Sequence, residues 1–482
     1  MDVKMAEADK ALTYDDCYAW VHDKIFPLRP ADYCSKYPKW PGLVGIEVEM
    51  LPLYTATLGK DKPSPVPLYN GDQSLVKMLY SMQKNNPDWR YVASPEGSDH
   101  LMNVLLDDED QLSFEPGGQL EFSSKPYPCL SDALRRMRDI QKKVDDAAEA
   151  QGITILQVGM NPWESVSEIG LQMEKPRYRA MDAFFSAQGV HGQRMMRQTC
   201  TIQINLDFGD SEETLAKRYL LGSLLAPFAT AIFANSPLFE NKLNGLISNR
   251  GETWQHMDPT RTGFPKLEEV IKTLSRKACV EAYLEWIAKG RVVFSERHNF
   301  EVMDGQFTFG DWLTKGFKGT KPTNKDLQTH LSLQFPEVRA RGFLELRSVD
   351  CQHRFWQAAP GAFYTGLLYD DQSLNKALDL LLPEFKNLTT YWNNAPQGLH
   401  NKDIARISKK VSELAIEGFS RMPDCYHGEE SARVMEAFHE HYTARDRSPG
   451  DEIADQFRAK GHFNGNDVIA LENLWTKLNL SK

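Results

Sequence analysis

Phe114-Glu115-Pro116-Gly117-Gly118-Gln119-Leu120-Glu121-Phe122-Ser123-Ser124 sets a Pro-Gly-Gly turn directly ahead of an alternating polar/apolar run. A period of two is the signature of a strand with one buried face. It puts Gln119 and Glu121 on one face and Leu120 and Phe122 on the other. Gly117 and Gly118 have no Cβ, so the backbone can turn sharply and let a ligand come close. A carboxylate at the end of such a turn suits a hard cation such as Mg²⁺. The same residues also read as an ordinary glycine turn into a half-buried strand. Three further strands of the same kind weigh against that plainer account.

Leu43-Val44-Gly45-Ile46-Glu47-Val48-Glu49-Met50 alternates strictly and places Glu47 and Glu49 on one face. Neighbouring carboxylates repel unless a cation or basic group sits between them; a solvated strand face is the alternative. Thr199-Cys200-Thr201-Ile202-Gln203-Ile204-Asn205-Leu206-Asp207-Phe208 repeats the pattern. The amides of Gln203 and Asn205 either face solvent or hold a substrate or metal-bound water by directed hydrogen bonds. In Phe343-Leu344-Glu345-Leu346-Arg347-Ser348-Val349, Glu345 and Arg347 share a face. They form an ordinary ion pair, or an acid for a metal beside a guanidinium fork for a carboxylate or phosphoryl group. Polar faces turned inward describe a sheet whose concave side is a charged cavity. Excess acid calls for a divalent metal and arginine for an anion, a pairing that points to phosphoryl transfer.

Composition sets the outer limits. A chain of 482 residues, 41% hydrophobic and 25% charged, is soluble in type and able to bury a large core. Its net charge of −10 argues against a nucleic-acid surface. Residues 1–12 lack the apolar core of a signal peptide, and the apolar run 219–234 is too short to span a membrane. That run holds Pro227 and reads as a buried, kinked helix. Seven scattered cysteines without Cys-x-x-Cys fit a reducing cytoplasm, with Cys200 and Cys351 as buried thiols. The expectation is a cytoplasmic monomer or homodimer with no nucleic-acid or membrane partner.

Strands are expected at 43–51, 119–123, 153–158, 199–208 and 342–349. Ala133, Leu134, Met137, Ile140, Val144 and Ala148 recur at helical spacing, with Ser131 as the N-cap. Segments 59–67 and 95–111 read as loops over a site, the second as a lid. Helical patterns dominate from Asp371 onward. The expected architecture is α+β, with helices around one curved, mostly antiparallel sheet. Its parts are an N-terminal helical segment (1–40), a core (41–370) and a C-terminal helical part (371–482) packed on the same domain. No Walker-A, Gly-x-Gly-x-x-Gly, His-Glu-x-x-His or Gly-x-Ser-x-Gly sequence occurs. The residues alone therefore describe a metal-dependent enzyme acting on an anionic substrate.

At these positions the chain resembles the glutamate–cysteine ligase family, in the branch shared by plants and many bacteria. Glu-Pro-Gly-Gly-Gln-Leu-Glu-Phe-Ser at 115–123, Thr-Cys-Thr-Ile-Gln-Ile-Asn-Leu-Asp-Phe at 199–208 and Phe-Ala-Asn-Ser-Pro at 233–237 carry the resemblance. Asn244-Gly245, Arg250, Trp254 with Asp258, and Arg261-Thr262-Gly263 follow in order. Phe335-Pro336-Glu337-Val338-Arg339, Leu344-Glu345-Leu346-Arg347 and Gly366-Leu367-Leu368-Tyr369-Asp370 complete it. The resemblance implies a glutamine-synthetase-like fold with a funnel-shaped site and helices packed outside. It implies ligation of the L-glutamate γ-carboxylate to the amine of L-cysteine, through an acyl phosphate made with ATP. Two or three Mg²⁺ ions, with Mn²⁺ as a substitute, would sit on Glu47, Glu49, Glu121 and Glu345. Glu345 and Arg347 are the expected catalytic residues. Gln119, Gln203, Asn205, Arg250, Arg261 and Arg347 are expected to meet ATP or substrate.

Departures bear on the acceptor. Val48 stands where plant relatives have histidine, and Gln198 where they have arginine, so the substrate contact of that arginine is not carried over. Segment 290–299 departs from their aromatic pattern, which keeps a different acceptor amine in play as the alternative. A non-catalytic relative that binds ATP or glutamate is the other class.

Overall fold

The computed structural model describes residues 10–30, 41–94, 97–106, 109–429 and 431–475. Its frame is a nine-stranded sheet. In chain order the strands are β1 Val44–Tyr54, β2 Arg90–Ser94, β3 Gly97–Leu105, β4 Gln111–Phe114, β5 Leu120–Ser123, β6 Ile153–Leu156, β7 Ile202–Leu206, β8 Val338–Ala340 and β9 Leu344–Leu346. They lie in the order β8-β9-β7-β1-β5-β4-β3-β2, with β6 added on β1. Every pairing is antiparallel. The α+β expectation holds.

Alternation builds this sheet as expected. Ile46, Val48 and Met50 of β1, Leu120 and Phe122 of β5, Ile202, Ile204 and Leu206 of β7 and Leu344 and Leu346 of β9 are all buried in one core. Each such side chain contributes about 1.5–3 kcal/mol through removal from water. The helices α1 Leu130–Glu149, α2 Glu212–Ile232, α3 Asn249–Gln255, α4 Ala358–Leu368 and α5 Lys402–Ser420 follow. Helix α1 packs on β1, α2 on β8 and β9, and α4 on β7. The apolar stretch read as a buried helix is the C-terminal two-thirds of α2, which carries Pro227 in its interior.

A third layer lies outside α4. A Cβ on Gly418 of α5 would stand 1.9 Å from the carbonyl oxygen of Gly366 in α4. Two helices meet here backbone to backbone, and only glycine allows it. The helices beyond Asp371 thereby buttress the layer that backs the sheet.

Two local expectations are corrected. Segment 95–111 is not a lid loop: β3 fills Gly97–Leu105 and β4 starts at Gln111, while 95–96 and 107–108 lie outside the described residues. Register shifts between Val92 and Ala93 and between Ala93 and Ser94 break the period of two that would have marked this hairpin. Ser131 is not the N-cap of α1; Cys129 holds that position without a side-chain cap bond. The Ser131 hydroxyl instead accepts the Gly428 N–H at 2.9 Å, tying α1 to the C-terminal helices.

Candidate active site

The face of the sheet opposite the helices carries the polar residues, and strand register brings them together. Glu49 of β1 stands opposite Glu121 of β5, which stands opposite Ser113 of β4. One step along, Glu47 stands opposite Gln203 of β7. One step further, Asn205 of β7 stands opposite Glu345 of β9, which faces Arg339 of β8. Gln203 and Asn205 are buried, so this is not a solvent-facing strand.

Each carboxylate has defined partners. Glu47 accepts from Asn205 Nδ2 at 2.9 Å and Gln203 Nε2 at 3.3 Å. Glu49 accepts the Thr201 N–H at 2.9 Å. Glu121 accepts from the hydroxyls of Ser113 at 2.9 Å and Ser123 at 2.7 Å. Burial, and then repulsion from Glu345 and Glu121, raise the proton affinity of Glu47. Burial and Glu121 push Glu49 up to about 8.

A fourth acid, Glu115, belongs to the same patch, and burial, Glu49 and Glu121 raise it well above the usual carboxylate range. Sequence reasoning missed it. Its signal was parity: across the hairpin, Glu115 falls on the same face as Ser113, but only once β4 is recognised as a strand. The nearby Tyr178 hydroxyl, also missed, is raised by burial and by Glu115.

Glu345 has a different environment from the other acids. It is fully buried and bonded to Arg339 at 2.6 Å, Arg347 at 2.7 Å and Arg341 at 3.0 Å. Burial opposes its ionisation, but Arg339, Arg347 and Arg341 outweigh that and hold it well below its ordinary range. A carboxylate shared by three guanidiniums is an anchor for arginines rather than a position for a cation. The expectation placed Glu345 among the metal-binding acids; the structure sets it apart from Glu47, Glu49 and Glu121 by these three arginine contacts. Arg347 also donates to Gln203 Oε1 at 3.0 Å. Arg250 of α3 donates to the Arg347 carbonyl at 2.8 Å and lies 3.8 Å from Asp350.

Two expected ligand contacts take structural roles. Arg261 is fully buried, its guanidinium donating to Asp258 at 2.8 Å, the Leu333 carbonyl at 2.6 Å and the Arg291 carbonyl at 2.9 Å. It pins segment 290–299 to the body of the protein and has no open N–H edge for a substrate. Arg261→Met is expected to cost about 3–5 kcal/mol by stranding Asp258, read by denaturant melting, with the KM for glutamate unchanged in the folded fraction. Gln119 is buried and donates to the Thr199 carbonyl at 3.0 Å. The Pro-Gly-Gly turn accommodates protein rather than ligand: a Cβ on Gly117 would stand 2.2 Å from the Arg197 carbonyl oxygen, and Gly118, at φ +89°, lies against Gln172.

Gln172 joins that turn to a polar chamber of about 580 Å³ lined by Tyr69, Glu164, Glu168, Lys175 and Arg179 among others. Its amide accepts the Leu68 N–H at 2.6 Å and donates to the Gly117 carbonyl at 2.9 Å. Gln198 lies behind the chamber, donating to the Glu164 carbonyl at 2.6 Å. Cys200 and Cys351 are buried, unbridged thiols, raised by burial and by Glu49. Among the described residues, no helix is long and apolar enough to cross a membrane.

Known proteins share this chain's sequence and fold. A chloroplastic glutamate–cysteine ligase of Arabidopsis thaliana is 35% identical over 334 residues, covering 66% of this chain and 61% of that protein. One of Medicago truncatula is 34% identical over 331 residues, covering 66% and 63%. The chain thus matches somewhat under two-thirds of these relatives' length. The crystal structure of a Francisella tularensis glutamate–cysteine ligase in complex with AMP aligns with a TM-score of 0.53 at 12% identity, over 92% of this chain and 90% of that one. It shares the fold. The expectation of a cytoplasmic protein is overturned, because these plant relatives are chloroplastic. Residues 43–472 match the glutamate–cysteine ligase family 2, and the chain belongs to that family.

Proposed function

We propose that this chain is an ATP-dependent ligase that joins the γ-carboxyl of L-glutamate to the amine of L-cysteine, giving γ-glutamylcysteine. The observation that carries this reading is the half-buried patch of Glu47, Glu49, Glu115 and Glu121 lying against the guanidiniums of Arg347 and Arg250. The relatives' names support glutamate and cysteine as substrates, and their compartment makes a plastid the location to test.

Mg²⁺ fits the acid patch on electrostatic grounds, since acids crowded until they hold protons are relieved by a cation. Among the described residues, no group of three or more His, Cys, Asp or Glu side chains is placed so that it could hold a metal ion as it stands, so a cation here needs these acids to draw together. The carboxylates are instead held by Asn205, Gln203, Ser113 and Ser123, neutral partners that can give way. Glu47, Glu49, Glu115 and Glu121 would hold the cation, which supplies charge neutralisation to the polyphosphate.

The chain's own residues then have distinct tasks. Arg347, with Arg250 behind it, meets the charge that develops as the glutamate γ-carboxylate attacks the γ-phosphorus and the bond to ADP breaks. The acceptor amine next attacks the acyl carbon, phosphate leaves, and the amine loses a proton. Glu345 keeps Arg339, Arg341 and Arg347 together for this work. No covalent enzyme intermediate is needed.

The test is ADP release by the purified chain with ATP, Mg²⁺ and L-glutamate, amines being added singly. Cysteine is expected to exceed any other amine by more than tenfold. A different preferred amine keeps the chemistry and replaces the product. Silence with all amines overturns the ligase reading.

A further inference from the structure

Trp254 and Phe335 bring no titrating chemistry to the site, yet both lie directly beneath its arginines. We propose that Trp254 is a positioning residue that sets the aim of Arg347 and Arg250 towards the acid patch, an inference that rests on the ligase reading for its kinetic consequence. Its ring centroid lies 5.0 Å from Arg347 Cζ and 5.6 Å from Arg250 Cζ. Phe335 meets Trp254 edge-on at 5.5 Å and lies 5.7 Å from Arg347 Cζ. One indole therefore serves two guanidiniums of like charge.

Arg347 needs such a support. Its bonds to Gln203 and Glu345 both use the single nitrogen Nη1. Both bonds hold one corner of the guanidinium, so its Nε and Nη2 are held by no hydrogen bond among the described residues. An aromatic face supplies the missing constraint, since its negative quadrupole attracts a cation without consuming any N–H. The remaining donors stay available to an oxyanion, and alignment before the reaction is what electrostatic catalysis requires. A second observation shows which part of the indole matters. Trp254 Nε1 is buried and has no hydrogen-bond partner. Both guanidinium contacts are made to the ring, and a phenyl ring can keep them without the N–H.

The proposal therefore distinguishes two substitutions at one position. Trp254→Leu in the full chain is expected to lower kcat for ADP release at least tenfold, with KM for ATP and glutamate within twofold. Trp254→Phe is expected to keep at least a third of the parent kcat. A residue serving only to fill space would lower melting temperature and active fraction, leaving kcat per folded molecule unchanged. Equal kcat in parent and Trp254→Leu, or equal losses in both variants, overturns the proposal. Trp254→Met stands in if Trp254→Leu does not fold. Aluminium fluoride titrated by calorimetry with ADP, Mg²⁺ and glutamate present imitates the phosphoryl group in transfer and gives a readout that needs no turnover. Tenfold weaker binding to Trp254→Leu, with Trp254→Phe close to the parent, is expected. If the parent releases no ADP with any amine the ligase reading fails, and unchanged aluminium fluoride affinity in Trp254→Leu would overturn the positioning role by itself.

Discussion

Arg347→Lys is expected to lower kcat for ADP formation by about a hundredfold or more, with KM for ATP and glutamate within about threefold. The substitution keeps the positive charge, so a role in general attraction would survive it. What it removes is geometry. Arg347 bonds Glu345 at 2.7 Å and Gln203 at 3.0 Å through one nitrogen while its face lies over Trp254 at 5.0 Å. Lysine offers a compact ammonium on a flexible stem and cannot keep two anchors while presenting further donors to an oxyanion. Ground-state binding rests on other groups, so the loss falls on the transition state and appears in kcat. Steady-state kinetics of ADP release decide it. A kcat within threefold of the parent would remove Arg347 from phosphoryl transfer.

How far the sequence could be read depended on whether a feature was local. Glu47 and Glu49 share a face because β1 alternates without interruption, and that face is fixed by Ile46, Val48 and Met50 burying the other. Glu121 was equally legible, since a glycine turn announces β5. Glu115 was not, although it stands in the same stretch. Its neighbours on the face come from β4, and the bulged hairpin before β4 hid that strand. Arg339 shows a different limit. Its side chain is placed by pairing with Glu345, a contact made visible only by the β8–β9 register. Arg261 shows the opposite error: an arginine within a family motif invites a ligand, but three protein acceptors already use it. Local periodicity identifies the face of a residue, whereas its partners depend on segments far away in the chain. Glu345 and Arg339 also show why net charge is a poor guide to a site. A chain of net charge −10 concentrates arginines where its most tightly paired acid lies.

Removing divalent cations should make the protein less stable as pH rises from about 5 to 8, and Mg²⁺ should reverse that slope. Burial and mutual repulsion raise Glu47, Glu49 and Glu115 in the folded chain, Glu49 to about 8, above the ordinary range they regain on unfolding. Between those limits the folded state binds more protons than the unfolded state. Raising pH therefore favours unfolding, the reverse of a salt-bridged carboxylate. A bound cation takes the place of the protons, so its binding releases them and strengthens with pH. At a hundredfold excess over Kd the cation adds about 2.7 kcal/mol of stability by mass action. Thermal melting in chelator and in Mg²⁺ at pH 5.5 and pH 8 tests the slope. Calorimetry in buffers of different ionisation enthalpy counts the released protons. The expected result is a larger Mg²⁺-induced rise in melting temperature at pH 8, accompanied by proton release near pH 7. Equal rises at both pH values with no proton release would mean that Mg²⁺ binds away from these acids. Their elevated proton affinity would then be a cost of burial with no cation to offset it, and Arg347 would face acids that hold their protons to higher pH than ordinary carboxylates.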